Sequence, residues 1–470
     1  MSLTFSEKLQ SGVMRGGLIA ASLLAAGCAA VGPDYRAPEA VVPADYRWNA
    51  NKNGRQAAQR DAWWKIFNDP GLNRLVSQVR ANNHDLRAGL RRYEQARAVI
   101  GVTRADGLPQ VSSSPGGSRQ RVSDESVSGR GGTFSTYNMP ASLDWEIDLF
   151  GRIRRAVEAA TADAQSSGED LNDLRLALET EAASRYFALR ALDEEIGIVQ
   201  EGVASRKSSL KLAQDRKNLG VVSELDVAQA GTLLATSEAD LQGLRRLRAA
   251  QESSIAVLAG VPASAYRMKA NPLSGEPPSV PSGLPSELVR ARPDIRRAER
   301  NLAAENARVG VATAAFYPDI SLGLNGGFQA DEIGGIFNHG ARFWAISPQA
   351  YIPIFQGGRN KANLARSQAR YEEVLEDYQQ TILESLAEVE TALAARNFYT
   401  GQSAALERAS AAAQRAREIA NDQYEGGTSN YLNVLDAERT ALDANRQQAV
   451  IRGANYANTV NLIRAIGGRW

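Results

Sequence analysis

Two stretches of this chain, HDLRAGLRRYEQARAVIGVTRADGLPQ from His84 and PDIRRAERNLAAENARVGVATAAFYPD from Pro293, align without a gap. Asp85, Arg87, Ala98, Gly101, Val102, Ala105 and Pro109 in the first match Asp294, Arg296, Ala307, Gly310, Val311, Ala314 and Pro318 in the second. Further on, AQDRKNLGVVSELDVAQA from Ala213 pairs with ANDQYEGGTSNYLNVLDA from Ala420, sharing Gly220/Gly427, Leu225/Leu432, Val227/Val434 and Ala230/Ala437. The offset is nearly equal in the two comparisons, so the chain is a tandem duplication of roughly 200 residues per unit. Any fold assigned to one half must therefore serve the other. The units read as 61–260 and 286–470, with a Pro-rich connector over 261–285 between them and an extended segment over 28–60 in front.

Proline placement separates two kinds of structure within each unit. None occurs between Pro140 and Pro262, and none follows Pro353. Proline costs about 3 kcal/mol in a helix interior, so these spans are where long helices fit. In the first, Leu171, Leu174, Leu178, Ala182, Leu189, Leu192, Ile196, Val199 and Val203 recur at steps of three, four or seven, a coiled-coil seam. A helix from Arg152 to about Lys217 would be on the order of 100 Å long. It breaks at NLGVVSELD and resumes to about Leu258; its counterpart breaks at YEGGTSNYLN and resumes toward the C-terminus. Gly220, Gly426 and Gly427 supply the backbone freedom for the breaks. Each unit thus contains a helical hairpin, with both tips expected at one end of the molecule.

Elsewhere the apolar period changes to two. Tyr137, Met139, Ala141, Leu143, Trp145, Ile147 and Leu149 alternate with polar residues, as do Ile320, Leu322 and Leu324, then Trp344, Ile346, Ala350, Ile352 and Ile354. A weaker candidate surrounds Val111. Each unit therefore offers two strands joined by a Gly/Ser-rich loop. Pro318 ends a helix before the strand at Ile320, and Gly151 with Arg152, and Gly357 and Gly358 with Arg359, mark the return from strand to helix. Trp63 and Trp64 are expected to pack the N-terminal segment onto the body of the protein.

Composition argues mostly against other functions. Lys and Arg total 54 against 53 for Asp and Glu, so no basic surface invites nucleic acid. Two histidines in the chain, His84 in a helical stretch and His339 in a Gly-rich loop, leave little material for histidine catalysis. There is no Walker loop, nucleophile elbow or paired metal motif, and neither a catalytic nor a metal site is expected. The single cysteine, Cys28, has no disulfide partner and no metal-ligand neighbours. It follows a basic n-region with Lys8 and Arg15, an apolar run from Leu18 to Ala26, and the small residues Ala25 to Gly27, which together read as an export signal over 1–27. A cysteine there resembles a bacterial lipobox, whose thiol is diacylated and becomes the first residue of the mature chain. Cys28 is accordingly the candidate lipidation site, with diacylglycerol and an N-acyl chain its only expected covalent additions. The apolar run is too short to span a bilayer.

A membrane-inserted chain without a transmembrane helix must form a closed barrel, because unpaired backbone groups cannot face lipid. The strands of one chain cannot close alone, two chains give a filled interior, and three or more leave room for a lumen. A pore therefore implies an oligomer, with a trimer the smallest candidate; a peripheral lipoprotein is the alternative.

GPDYRAP from Gly32, DAWWKIFNDPGLNRLV from Asp61, RPDIRRAERNLAAENARVGVATAAFYPDISL from Arg292 and the terminal LIRAIGGRW resemble the outer-membrane efflux lipoproteins of the OprM/NodT type, relatives of the TolC channel. The resemblance covers essentially the whole mature chain. It implies an α+β membrane channel: a homotrimer in which each chain gives four strands to a 12-stranded transmembrane β-barrel, continued by a coiled-coil helical barrel across the periplasm. It also implies that the tips dock on a periplasmic adaptor protein fed by an inner-membrane RND-type pump. The tips are the gate in this family. Asp436 then takes the place of a pore-facing aspartate, with Asn433 where a second would stand. Asp226 matches an acidic lock residue and Tyr424 its tyrosine, while Ser429 replaces the arginine of that lock. Any lock would thus rest on a hydrogen bond from the Tyr424 hydroxyl to Asp226.

The expected function is a passive, gated exit duct in the bacterial outer membrane for drugs and other small toxic compounds, lipid-anchored and powered by its partner pump. The alternatives are an outer-membrane duct for type I protein secretion, which the same architecture serves, and a lipid-anchored structural coiled coil, which has no need of apolar-faced strands.

Overall fold

The computed structural model describes residues 30–48, 62–125, 131–281, 283 and 285–468. The helices are α1 (Pro70–Asn82), α2 (His84–Ala105), α3 (Arg152–Asn218), α4 (Glu224–Leu258), α5 (Pro285–Ala291), α6 (Pro293–Ala314), α7 (Arg359–Glu425) and α8 (Tyr431–Ala465). The strands are β1 (Gln110–Ser112), β2 (Gly116–Val122), β3 (Gly132–Glu146), β4 (Asp319–Ala330) and β5 (Arg342–Tyr351). The duplication survives in the element lengths: α2 and α6 are both 22 residues, α3 and α7 both 67, α4 and α8 both 35. Among the described residues no helix is long and apolar enough to cross a membrane.

Two compact units divide the chain, and neither follows the repeat boundary. The first gathers residues up to 39, 92–168 and 297–379; the second gathers 40–91, 169–296 and 380–470. Each draws on both repeats.

The first unit holds the sheet, in the order β1-β3-β4-β5 with β2 also on β3. β1 pairs Gln110 with Asp144 and β2 pairs Gly116 with Asn138, the same antiparallel register. They are one strand interrupted at residues 113–115, where Pro115 and the facing Pro140 both lack a donor. The sheet therefore has four strands. Its register places Leu143 opposite Leu324, Leu324 opposite Ile346, Trp145 opposite Leu322 and Gly326 opposite Trp344. The period-two residues of separate strands thus fall on one face, as cross-strand partners must. Ile352 and Ile354 lie past the end of β5 at Tyr351. Strand returns to helix at Gly151, Gly357 and Gly358, whose φ values of +82°, +58° and +86° glycine adopts without strain.

The second unit holds the main core, built from Trp63, Leu72, Leu75, Val76, Tyr186, Phe187, Leu189, Ile255, Leu462 and Ile463. Trp63 and Trp64 belong to it: Trp63 is 2% exposed and donates from Nε1 to Glu179 Oε2 at 3.1 Å, and the Arg80 guanidinium lies 4.3 Å from the Trp64 ring. Phe187 meets Phe67 and Tyr456 with ring centroids 4.8 Å and 4.7 Å apart. Each such side chain contributes about 1.5–3 kcal/mol by leaving water. The RPD of the second repeat is structural. Arg292 grips Asp294 at 3.0 Å and 2.6 Å, Glu388 at 2.6 Å and the Ala465 carbonyl at 2.8 Å, tying the start of α6 to α7 and the end of α8.

Asp69 caps α1, accepting from Gly71 N at 2.7 Å and Leu72 N at 3.1 Å, and the Tyr186 hydroxyl donates to the same carboxylate at 2.7 Å. Burial, then the hydrogen bond to Asp69, pushes the Tyr186 hydroxyl up to about 12. The ordinary tyrosine value is about 10, so the protonated hydroxyl stabilises the fold fully below that pH and the contribution is lost as pH rises toward 12. Tyr186→Phe is therefore expected to be less stable than wild type by about 1 kcal/mol at pH 8. The gap should shrink over pH 10–12 in denaturant titrations of the detergent-solubilised protein, and a gap independent of pH would contradict the assignment.

Candidate gate at the ends of the helical hairpins

Both hairpins turn by the same device, and it lies wholly in the second unit. Gly220 at φ +76° ends α3: its N–H donates to Lys217 O at 2.8 Å and Val221 N donates to Arg216 O at 2.9 Å. Gly427 at φ +73° ends α7 likewise, with Gly427 N on Tyr424 O at 3.1 Å and Thr428 N on Gln423 O at 2.9 Å. This is the left-handed C-terminal stop that satisfies the last helical carbonyls. Gly426, grouped with these two on sequence, is not in a left-handed conformation.

The returning helices start on side-chain caps. Ser223 and Asp226 form a reciprocal capping box at α4, and Asn430 caps α8 by accepting from Asn433 N at 3.2 Å. The Asp226 carboxylate is therefore occupied locally, accepting from Ser223 N at 2.9 Å and Ser223 Oγ at 3.1 Å. The Tyr424–Asp226 hydrogen bond expected from the resemblance is not made within the chain. The S-x-x-D spacing at Ser223 is the signal that commits Asp226 to its own helix.

Tyr424 is buried at 6% exposure among Ala213, Ala230, Ala420, Tyr431 and Val434, so the ends of all four hairpin helices share one small core. Its ring lies 5.2 Å from that of Tyr431, and its hydroxyl has no hydrogen-bond partner among the described residues. What ties α3 to α7 is Arg216. Its guanidinium sits 4.4 Å from the centroid of the Tyr424 ring and donates to the carbonyls of Tyr424 at 2.9 Å and Glu425 at 3.1 Å. Lys217 also pairs with Glu224 across the first turn.

Asp436 is exposed and pairs with Arg439 at 3.2 Å, with side chains 69% and 67% exposed. Such a pair contributes at most about 1 kcal/mol, which leaves the carboxylate free to act on ions. Asp436 lines a groove of ≈ 490 Å³ with Leu225, Leu233, Leu432, Leu435 and Arg439, between the first turns of α4 and α8.

Farther from the tips lies a polar layer that the sequence reading passed over. Arg206 is buried and donates to Ser237 Oγ; burial pushes its guanidinium down from the ordinary value. Glu438 is buried at 5% exposure and accepts from Ser209 Oγ at 3.2 Å and Ser205 Oγ at 3.4 Å. The signal was present: Arg206 continues the Val199–Val203 seam at a step of three, and Glu438 lies between Val434 and Ala441 on the apolar stripe of α8. Cys28 lies outside the described residues.

The sequence profile described as "outer membrane efflux protein" matches this chain twice, over residues 75–261 and 284–468. The chain belongs to the outer membrane efflux protein family. It is 34% identical over 462 residues to the antibiotic efflux pump outer membrane protein ArpC of Pseudomonas putida, covering 96% of this chain and 95% of that one. Outer membrane protein OprJ of Pseudomonas aeruginosa is 34% identical over 459 residues, covering 95% and 94%. Among solved structures, the outer-membrane channel OprN superposes with a TM-score of 0.88 at 33% identity, covering 93% of this chain and 99% of that one. The Campylobacter jejuni CmeC outer membrane channel superposes at 0.89 with 25% identity, covering 94% and 95%. This efflux protein is an α+β channel of the outer membrane and the exit duct of a tripartite efflux pump.

Proposed function

We propose that three copies of this efflux protein close one 12-stranded barrel and that the hairpin ends form its gate, opened when a periplasmic adaptor fed by an inner-membrane RND-type pump engages them. The observation that carries this is the sheet: four strands with one aligned apolar face and two edges, β5 and the β1/β2 strand, that have no partner in the described chain. Free edges cannot face lipid, and pairing each β5 with the next copy's first strand satisfies every edge. Drugs, solvents and other small toxic compounds are the cargo, in keeping with the antibiotic and toluene pumps to which the related proteins are assigned. Cys28 carries the lipid anchor, supported by its place directly after an apolar export signal. The duct itself performs no catalysis.

Planar-bilayer recording tests the gate. Small wild-type currents with a preference for cations are expected, and Asp436→Ala should weaken that preference because three symmetric Asp436 carboxylates are gone. Equal ion preference in the two proteins would remove Asp436 from the pore, and a dimer or tetramer mass in native mass spectrometry would remove the 12-stranded barrel.

A further inference from the structure

The first described residues of the chain are held far more tightly than their exposed position suggests. Arg155, in the first turn of α3, is buried and points its guanidinium at the backbone of Ala30 to Gly32. Nε donates to Val31 O at 3.1 Å, and Nη2 reaches Gly32 O at 3.2 Å, Ala30 O at 3.5 Å and Asp34 Oδ1 at 2.7 Å, while Nη1 is fixed by Glu158 at 2.8 Å. Val31 N in turn donates to Phe150 O at 3.0 Å, at the return from β3 to α3. Two glycines make room for this strap. A Cβ on Gly32, which sits at φ +90°, would lie 2.5 Å from Gly310 Cα, and a Cβ on Gly151 would lie 2.4 Å from Ala30 Cβ. Downstream, Asn306 Nδ2 donates to Pro33 O at 2.9 Å and the Tyr35 hydroxyl to Glu299 at 2.6 Å.

We propose that Arg155 is the positioning residue of the membrane anchor, clamping the Ala30–Asp34 strap so that the lipid on Cys28 leaves the fold beside the end of β3. This deepens the lipid-anchor reading above and rests on it. Ala30 is two residues from Cys28, a reach of at most about 7 Å. If loss of the clamp also lets the Val31–Phe150 hydrogen bond open, the next holds are Pro33 and Tyr35, five and seven residues away, and the reach grows to roughly 17–25 Å. The clamp therefore keeps the acyl chains in the leaflet that the strands enter. Only guanidinium suits the task, because its planar fork serves several acceptors at once, whereas an ammonium is a point donor.

Hydrogen exchange read by mass spectrometry on the full-length, detergent-solubilised protein tests this. In Arg155→Ala, exchange of the Val31 amide is expected to accelerate at least tenfold, with Arg155→Lys intermediate and the core helices α1 and α8 unchanged. Val31 protection equal to wild type in Arg155→Ala, with the core intact, would overturn the proposal. If alanine loosens the core as well, Gly32→Ala supplies the same comparison from the strap side, and unchanged Val31 protection there overturns it too. The mass of the mature N-terminal peptide is read in the same experiment. A peptide without acyl chains defeats the lipid-anchor reading and its positioning together, whereas an acylated peptide with an unprotected wild-type strap defeats the clamp alone.

Discussion

Arg216→Ala is expected to raise the fraction of time the purified channel spends open in a planar bilayer by one to two orders of magnitude. Arg216 is the contact that joins the end of α3 to the end of α7, through the Tyr424 ring at 4.4 Å and two carbonyls at 2.9 Å and 3.1 Å. A cation over a partly desolvated aromatic face and charge-assisted bonds to the carbonyls together supply roughly 1.5–3 kcal/mol. If parting the two hairpins breaks them, the equilibrium moves tenfold for every 1.4 kcal/mol, which gives the stated range. Asp226→Ala should do much less, since the capping box it removes lies within one helix start. Arg216→Lys separates the contributions, because it keeps the charge and loses the second carbonyl. Equal open probability in Arg216→Ala and wild type would mean that the closed tips are held elsewhere.

Asp193→Ala should cost the second unit about 3–5 kcal/mol, the range for removing one partner of a buried ion pair. The Asp193 side chain is 1% exposed and accepts from Arg190 Nη1 at 2.8 Å, Arg248 Nε at 2.7 Å and Asn271 N at 3.0 Å. The same two arginines hold the connector, Arg190 through Lys269 O at 2.7 Å and Arg248 through Met268 O at 2.7 Å. Removing the carboxylate takes the ion-pair partner from Arg190, whose side chain is 7% exposed, leaves Arg248 with Glu252 alone at 3.5 Å, and strips the Asn271 N–H of the connector of its acceptor. The midpoint of denaturant unfolding of the detergent-solubilised protein measures this. A shift worth less than about 1 kcal/mol would show that the connector stays in place without its buried centre.

The elements that were legible in the sequence are those set by local rules. The proline-free helices, the glycine stops at Gly220 and Gly427 and the apolar alternation of the strands each follow from short-range spacing, the duplication follows from comparing the two halves, and the structure reproduces the long helices with matched lengths in the two repeats. Resemblance to a known family supplied the place of the gate but not its contacts. Asp226 was assigned to Tyr424, and the structure gives it to Ser223, because a carboxylate three residues from a capping serine finds its partner at no loop-closure cost. Arg216, Arg206 and Glu438 carry charges, so composition places them on the surface. Only their phase on the seams marks them as inward, and that phase becomes an interaction when another helix covers it.

The sequence by itself determined the period of every segment and the points where helices must stop, since these depend on residues a few positions apart, and it showed the two-fold repetition by direct comparison of the two halves. Only the tertiary structure decided which charges are buried, that the first strand is broken opposite Pro140, and that Arg155 grips the strap at Ala30. Those outcomes depend on atoms brought together across tens to hundreds of residues, where burial strengthens a hydrogen bond and penalises an unmatched charge. No local pattern fixes which partner arrives.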